Sequence, residues 1–152
     1  GDYLPLNGSG AMSGVLNYGG FRGINLAPPV AAADASTKAY TDAVRLPRVQ
    51  SFVNTSGTLN LDCNAYDVFH LSLAGNVSLN FLGGSNNQSI QLRIKQDTVG
   101  SRTVQLPANV RFNTNVPSYT ASTTASVLDK LGLHFDSIDN KFDLLAVVKG
   151  IV

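Results

Sequence analysis

"DVFHLSLAG" (residues 67–75) and the "NVSLNFLGG" that follows it (76–84) decide the fold class. In the first, Phe69, Leu71 and Leu73 alternate with Val68, His70 and Ser72; in the second, Val77, Leu79 and Phe81 keep the same rhythm. A period of two sends successive side chains to opposite faces of a strand, which is the signature of a half-buried sheet. Ala74-Gly75-Asn76 reads as a turn between two strands. The pattern spreads in both directions. "SIQLRIKQD" (89–97) places Ile90, Leu92 and Ile94 on one face and Gln91, Arg93 and Lys95 on the other. "RTVQLP" and "NVRFN" are shorter strands around Pro107. "KLGLHFD" (130–136) sets Leu131, Leu133 and Phe135 against Gly132 and His134, and "SIDN" turns the chain into "KFDLLAVVKGIV". There the Leu144–Val148 run is apolar on both faces and predicts burial on both. Eight to ten short strands with turn signals between them predict a mainly β domain over 47–152, an antiparallel β-sandwich or jelly roll.

Composition agrees with a β-rich chain. All ten acidic residues are Asp, and Glu, a good helix former, is missing. Hydrophobic residues reach 43% and charged residues only 14%, which supports a packed core rather than a polar disordered chain. The net charge of +1 comes from scattered basic residues, so no Lys/Arg cluster in the sequence suggests nucleic-acid binding. No apolar run is long enough for a membrane-spanning helix, so no membrane insertion is expected. The lone Cys63 reads as a small buried hydrophobe. A chain that opens on Gly1 without Met reads as part of something longer.

The first third differs in texture. Seven glycines before Pro28 preclude a stable helix and leave room for a small β-rich neck. "DASTKAYTDAV" (34–44) is the one helical phrase, with Asp34 as N-cap and Pro47 ending the element, giving a short helix over about 31–45. Val30, Ala33, Thr37, Tyr40 and Val44 fall on one seam of it. At this length the seam fits a helix docked on its own domain and several copies docked on each other equally well. The organisation expected is a neck and collar over 1–46 followed by the 47–152 domain.

Signals for catalysis are weak. His70 and His134 sit at outward strand positions and read as surface or interface histidines; no spacing suits zinc. Asp136 and Asp139 flank a turn but lack the EF-hand spacing, so no metal and no cofactor is expected. The nucleophile elbow, the P-loop and the dinucleotide fingerprint are all missing, and no pair of carboxylates stands out for glycoside hydrolysis. The chain reads as a non-enzyme. Binding remains. Saccharides are held by aromatic faces with polar side chains completing the hydrogen bonds. The candidates on loops or outward positions are Tyr66, Arg93, Asp97, Arg102, Tyr119, His134 and Asp136.

"MSGVLNYGGFRGINLAPPVAAADASTKAYTDAV" (12–44) resembles a repeat of bacteriophage tail fibres. Met12, Gly14, Leu16, Gly19, Ile24, Leu26, Pro29, Asp34, Ala35, Thr37, Lys38, Tyr40 and Asp42 match in one register, while Tyr18 and Thr41 depart from it. The later "LSLAGNVSLNF", "IQLRIKQDTVGSRTVQLP" and "LHFDSIDNKFDLLAVV" are similar in order and texture to tail-fibre tip domains. The resemblance implies a homotrimer joined through the collar helix, with Val30, Ala33, Thr37, Tyr40 and Val44 in the trimer interface. It also implies a distal tip on the virion, attached to the rest of the fibre or baseplate, that adsorbs to a bacterial surface polysaccharide such as lipopolysaccharide or capsule. A structural tail or baseplate connector without receptor binding is the alternative. The resemblance carries over no defined sugar-contacting residue.

Overall fold

A computed structural model describes residue 30 and residues 46–152. The expected helix over 31–45, the neck before it, and Ala33, Thr37, Tyr40 and Val44 lie outside the described residues; Val30 is exposed. From Leu46 to Val152 the chain forms one compact unit. Its strands are β1 (Val49–Asp62), β2 (Val68–Leu82), β3 (Ser89–Lys95), β4 (Val104–Gln105), β5 (Val110–Arg111), β6 (Leu128–Asp136) and β7 (Lys141–Ile151). They join in one sheet in the order β1-β2-β3-β6-β7-β5, with β4 also on β2. The unit is mainly β, as the alternation predicts.

The pairing corrects the antiparallel expectation. β1, β3 and β4 all run parallel to β2, and β5 runs parallel to β7; only β3–β6 and β6–β7 are antiparallel. The described strands thus make one mixed sheet, not two antiparallel sheets face to face. An alternating strand presents the same faces whichever way its neighbour runs, so periodicity cannot separate the two arrangements.

Chain reach explains how parallel neighbours arise without a crossover helix. Val49 pairs with Val68 and Asp62 with Leu82, yet only residues 63–67 connect β1 to β2. Fully extended, the 14 residues of β1 would span ~45 Å, whereas five connecting residues reach only ~20 Å. β1 must therefore bend until its end comes back beside its beginning. The closing contacts are present. Asp67 and Val68 donate their backbone N–H groups to the Arg48 carbonyl at 2.8 and 3.0 Å, and Arg48 Nη1 donates to the Asn64 carbonyl at 2.7 Å. Each rung of this coil stacks on the next, so that Leu59 lies beside Leu79, Asn60 beside Asn80 and Leu61 beside Phe81.

The second correction concerns Ala74-Gly75-Asn76, which is no turn. β2 runs unbroken through it. Phe69, Leu71 and Leu73 face the core before it, and Val77, Leu79 and Phe81 face the core after it. Odd-numbered residues therefore keep to the inside throughout, with Gly75 occupying the inward position at the bend. A Cβ on Gly75 would sit 2.9 Å from the Cβ of Ser56 in the rung below, so the residue permits the rungs to approach at this corner. The register of β1 on β2 shifts on either side of Thr55, and Asn54 and Gly57 there take positive φ of 50° and 78°. This is how the shorter β1 turns the same corner.

Inside the coil, Leu61, Cys63, Phe69, Leu71, Leu92 and Leu131 are fully or almost fully buried. Burial pushes the Cys63 thiol up to about 12, in keeping with its reading as a small hydrophobe. The β6–β7 hairpin closes the open side of the coil: Phe142 packs edge-on against Phe81 at 4.8 Å between ring centres and, tilted, against Phe135 at 4.7 Å. Leu144 is buried, but Leu145 and Val148 are 60% and 54% exposed, so burial of this run on both faces is not reached within one chain.

Side-chain ladders reinforce the stack. Asn80 Nδ2 donates to Asn60 Oδ1 at 3.2 Å, and Ser78 Oγ to Gln105 Oε1 at 3.2 Å. Adding a side chain at the corner tests the stacking directly. Gly75→Val is expected to lower stability by about 1–3 kcal/mol in urea unfolding through overpacking. Ser56→Gly in the same chain should recover part of that loss, whereas Ser56→Gly alone should not stabilise.

Candidate functional site

The described residues form a groove of about 360 Å³ on the outer face of β1, β2 and β3. Its walls are made from rungs in register. Ser51 of β1 lies beside His70 of β2, which lies beside Arg93 of β3, and Arg93 lies opposite Lys130 of β6. One step along, Ser72 lies beside Lys95, and Lys95 lies opposite Leu128. Ser126, Ile151 and Val152 close the groove at the far side. The side chains are outward because the alternation that buries Phe69, Leu71, Leu92 and Ile94 leaves His70, Ser72, Arg93 and Lys95 no other face.

The electrostatics of this row are one-sided. Arg93 Nη1 is 3.3 Å from His70 Nε2. An arginine only donates, so the imidazole nitrogen accepts and the proton of neutral His70 is on Nδ1. Burial, together with the neighbouring Arg93 charge, holds the His70 pKa below its ordinary value. Arg93 Nε is cut off from solvent and has no acceptor. Among the described residues, Arg93, Lys95 and Lys130 form no ion pair; the ion pairs there belong to Arg48, Arg102 and Arg111. Like charges directly opposite across an antiparallel pair, as Arg93 and Lys130 are, oppose each other.

Of the seven residues expected from the sequence to bind ligand, only Arg93 lines the groove. Tyr66 packs on the core, edge-on to Phe69 at 6.3 Å. Asp97 and Arg102 neutralise each other at 2.8 Å, and Asp97 also accepts from the Val99 and Gly100 N–H groups to shape the loop. Tyr119 donates its hydroxyl to Asp129 at 3.0 Å, and burial together with that carboxylate raises its pKa. His134 sits on β6 between Ser89 and Asp143. Asp136 pairs with Arg111 at 2.9 Å, and the same guanidinium binds Asp139 and Asp143. A cation thus already occupies this acidic turn, and it is a protein side chain. The structure brings these seven together nowhere.

His70, Lys95 and Lys130 were missed as partners of Arg93. The available signal was positional: "VFHLS", "LRIK" and "DKLGL" all place a basic or imidazole side chain outward, with no acid on the same face.

The carboxylates are committed elsewhere. Asp129, almost completely buried, accepts from Tyr119 Oη, from Ser122 N and Oγ, and from Gly150 N, at 2.6 to 3.0 Å. Burial alone would raise its pKa; the hydrogen bonds from Ser122, Gly150 and Tyr119 outweigh that and leave it below the ordinary carboxylate range. Asp67 closes the coil. Its two oxygens take Arg48 Nη2 and Nε at 2.9 and 3.0 Å, and Gln88 Nε2 bonds Asp67 Oδ1 at 2.7 Å.

No family model, no curated protein and no solved structure matches this chain.

The Arg48 hydrogen bonds hold the Asp67 carboxyl at about 2, well below an ordinary Asp. A depressed carboxylate contributes stability that is complete above the unfolded value near 4 and is lost as pH falls from ~4 to ~2. Asp67→Asn should therefore lower the thermal midpoint at pH 7 and differ progressively less from the parent chain as pH falls through that window. A pH series of melts followed by circular dichroism measures it.

Proposed function

We propose that this chain is the adhesive tip of a bacteriophage tail fibre, a homotrimer that binds a bacterial surface polysaccharide without cleaving it. The observation that carries the reading is the open groove on the outer face of the coil, in which Arg93, His70, Lys95 and three serines stand among apolar side chains. Its walls are strands locked in register, and a rigid surface loses little entropy on binding. The resemblance of residues 12–44 to a fibre repeat supplies the biological setting. The groove is largely apolar, with Val53, Leu128 and Ile151 contributing from the outer face, which suits the face of a pyranose as well as its rim.

The state of the carboxylates favours adhesion over hydrolysis. A general acid for glycoside cleavage needs a carboxyl pKa raised towards neutrality. Asp67, Asp97, Asp129 and Asp136 are all shifted the other way, each by hydrogen bonds or a guanidinium. The exposed Leu145 on β7 is apolar surface that packing against sister chains would cover. Three weak sites on one tip, repeated over several fibres, give an avidity far above that of one contact.

Purified protein should bind receptive bacterial cells, and isolated surface polysaccharide from those cells should compete. Lack of binding across a receptive strain would favour the connector reading, and shortening of the polysaccharide chains would favour a depolymerase. Light scattering should give a trimer at micromolar concentration. Tyr40→Asp with Val44→Asp should dissociate it if the collar seam joins the copies; an intact trimer in that variant would place the contact in the β domain.

A further inference from the structure

No aspartate among the described residues pairs with the row of positive charge along this groove. Arg93 and Lys130 face each other across β3 and β6, and Lys95 stands two residues along from Arg93. Elsewhere in the described residues every arginine has been given at least one aspartate: Arg48 has Asp67, Arg102 has Asp97, and Arg111 has three. Arg93 differs. Its one side-chain contact is the 3.3 Å bond to neutral His70, which fixes the guanidinium plane without reducing its charge. Its Nε adds a buried N–H that nothing accepts. The hydroxyl-bearing Ser51, Ser72 and Ser126 line the same space.

We propose that this groove is an oxyanion subsite, in which Arg93, oriented by His70 and flanked by Lys95, takes the phosphate or carboxylate group of an acidic saccharide. The proposal deepens the adhesive reading above and rests on it for the saccharide. The chemistry required is common to both anions: a planar guanidinium offers two parallel N–H donors to two oxygens, and the ammonium of Lys95 adds charge from the side. Sugar hydroxyls next to the anion would meet the serines, and a pyranose face would meet Val53 and Ile151. A neutral saccharide satisfies only the latter half of this surface. His70 is a positioning residue: it touches Arg93, and its effect on the ligand runs through Arg93.

The full chain, labelled with 15N, is titrated with glucose 6-phosphate, with galacturonate and with glucose, and amide shifts are followed by NMR. Saturable shifts confined to β2 and β3 around Ser72, Arg93 and Lys95, present with either anion and missing with glucose, are expected. The stronger of the two anions identifies the source as a phosphorylated or a uronic saccharide. Arg93→Gln should weaken binding at least about tenfold, the scale of losing one charge-assisted contact. Lys95→Gln, at an exposed position that tolerates change, should weaken it less and should raise the salt sensitivity of neither fold nor melting. His70→Gln, which keeps an acceptor towards Arg93, should retain more affinity than His70→Ala. Equal shifts with glucose, no shifts with either anion, or full binding by Arg93→Gln would overturn the subsite. The two readings fail separately. If Arg93→Gln binds host polysaccharide as well as the parent chain does, the subsite falls and adhesion stands. If the anions shift the groove but no bacterial polysaccharide binds, adhesion falls and the subsite stands.

Discussion

The structure depends on one limit of reach. Five residues cannot carry the chain back along a strand of 14, so β1 has to bend into a closed rung before β2 can lie beside it. Once that rung closes at Arg48 and Asp67, each later element inherits its position. β2 follows the same path with the same inward residues, β3 and β4 lie on its two halves, and the β6–β7 hairpin seals the remaining side. The core is the interior of the winding. The groove is on its exterior, where β1, β2 and β3 each present two successive outward positions.

That division also sorts the charges. Aspartates occur mostly at bends, where they accept backbone N–H groups or hold an arginine: Asp67 at the closure, Asp97 in the loop before β4, Asp136 and Asp139 at the β6–β7 turn. Short acidic side chains suit bends because they bond the backbone one or two residues away. Straight wall positions are left for side chains with other roles, and on one wall those are His70, Arg93, Lys95 and Lys130. A molecule with a net charge of only +1 thereby acquires a locally positive face.

Much of the wall was legible in the sequence and little of the winding was. The alternation located Phe69, Leu71, Leu73, Ile90, Leu92, Ile94, Leu131, Leu133 and Phe135 as core, and all are buried. It named the strands because burial on one face of a pleated chain leaves a period of two regardless of partner. Strand direction has no such imprint, and Ala74-Gly75-Asn76 has the composition of a turn while serving as a bend within β2. The near-repetition of "TLNLDC" (58–63) by "SLNFLG" (78–83) was the available trace of the winding, since stacked rungs place like residues on like. The site was legible only at Arg93. The chemistry that suits Tyr66, Tyr119, Asp97, Arg102 and Asp136 to a ligand is chemistry the fold uses internally. Polar residues on loops are as readily consumed by building the loop as by binding a ligand.

The corners carry a further consequence, because they differ in length while the walls do not. Val49 lies on Val68, Val68 on Gln91, and Val77 on Val104, so successive rungs grow longer. The added residues are taken up between β2 and β3 and in the loop before β4, outside the paired segments. Lengthening a surface loop costs little entropy, and here it leaves the register of the neighbouring walls untouched. The fold is therefore modular in an unusual sense: the surface at its bends can be redrawn by insertion, with no accompanying adjustment of the walls or of the buried residues. Variation could accumulate at the bends while the winding is inherited unchanged.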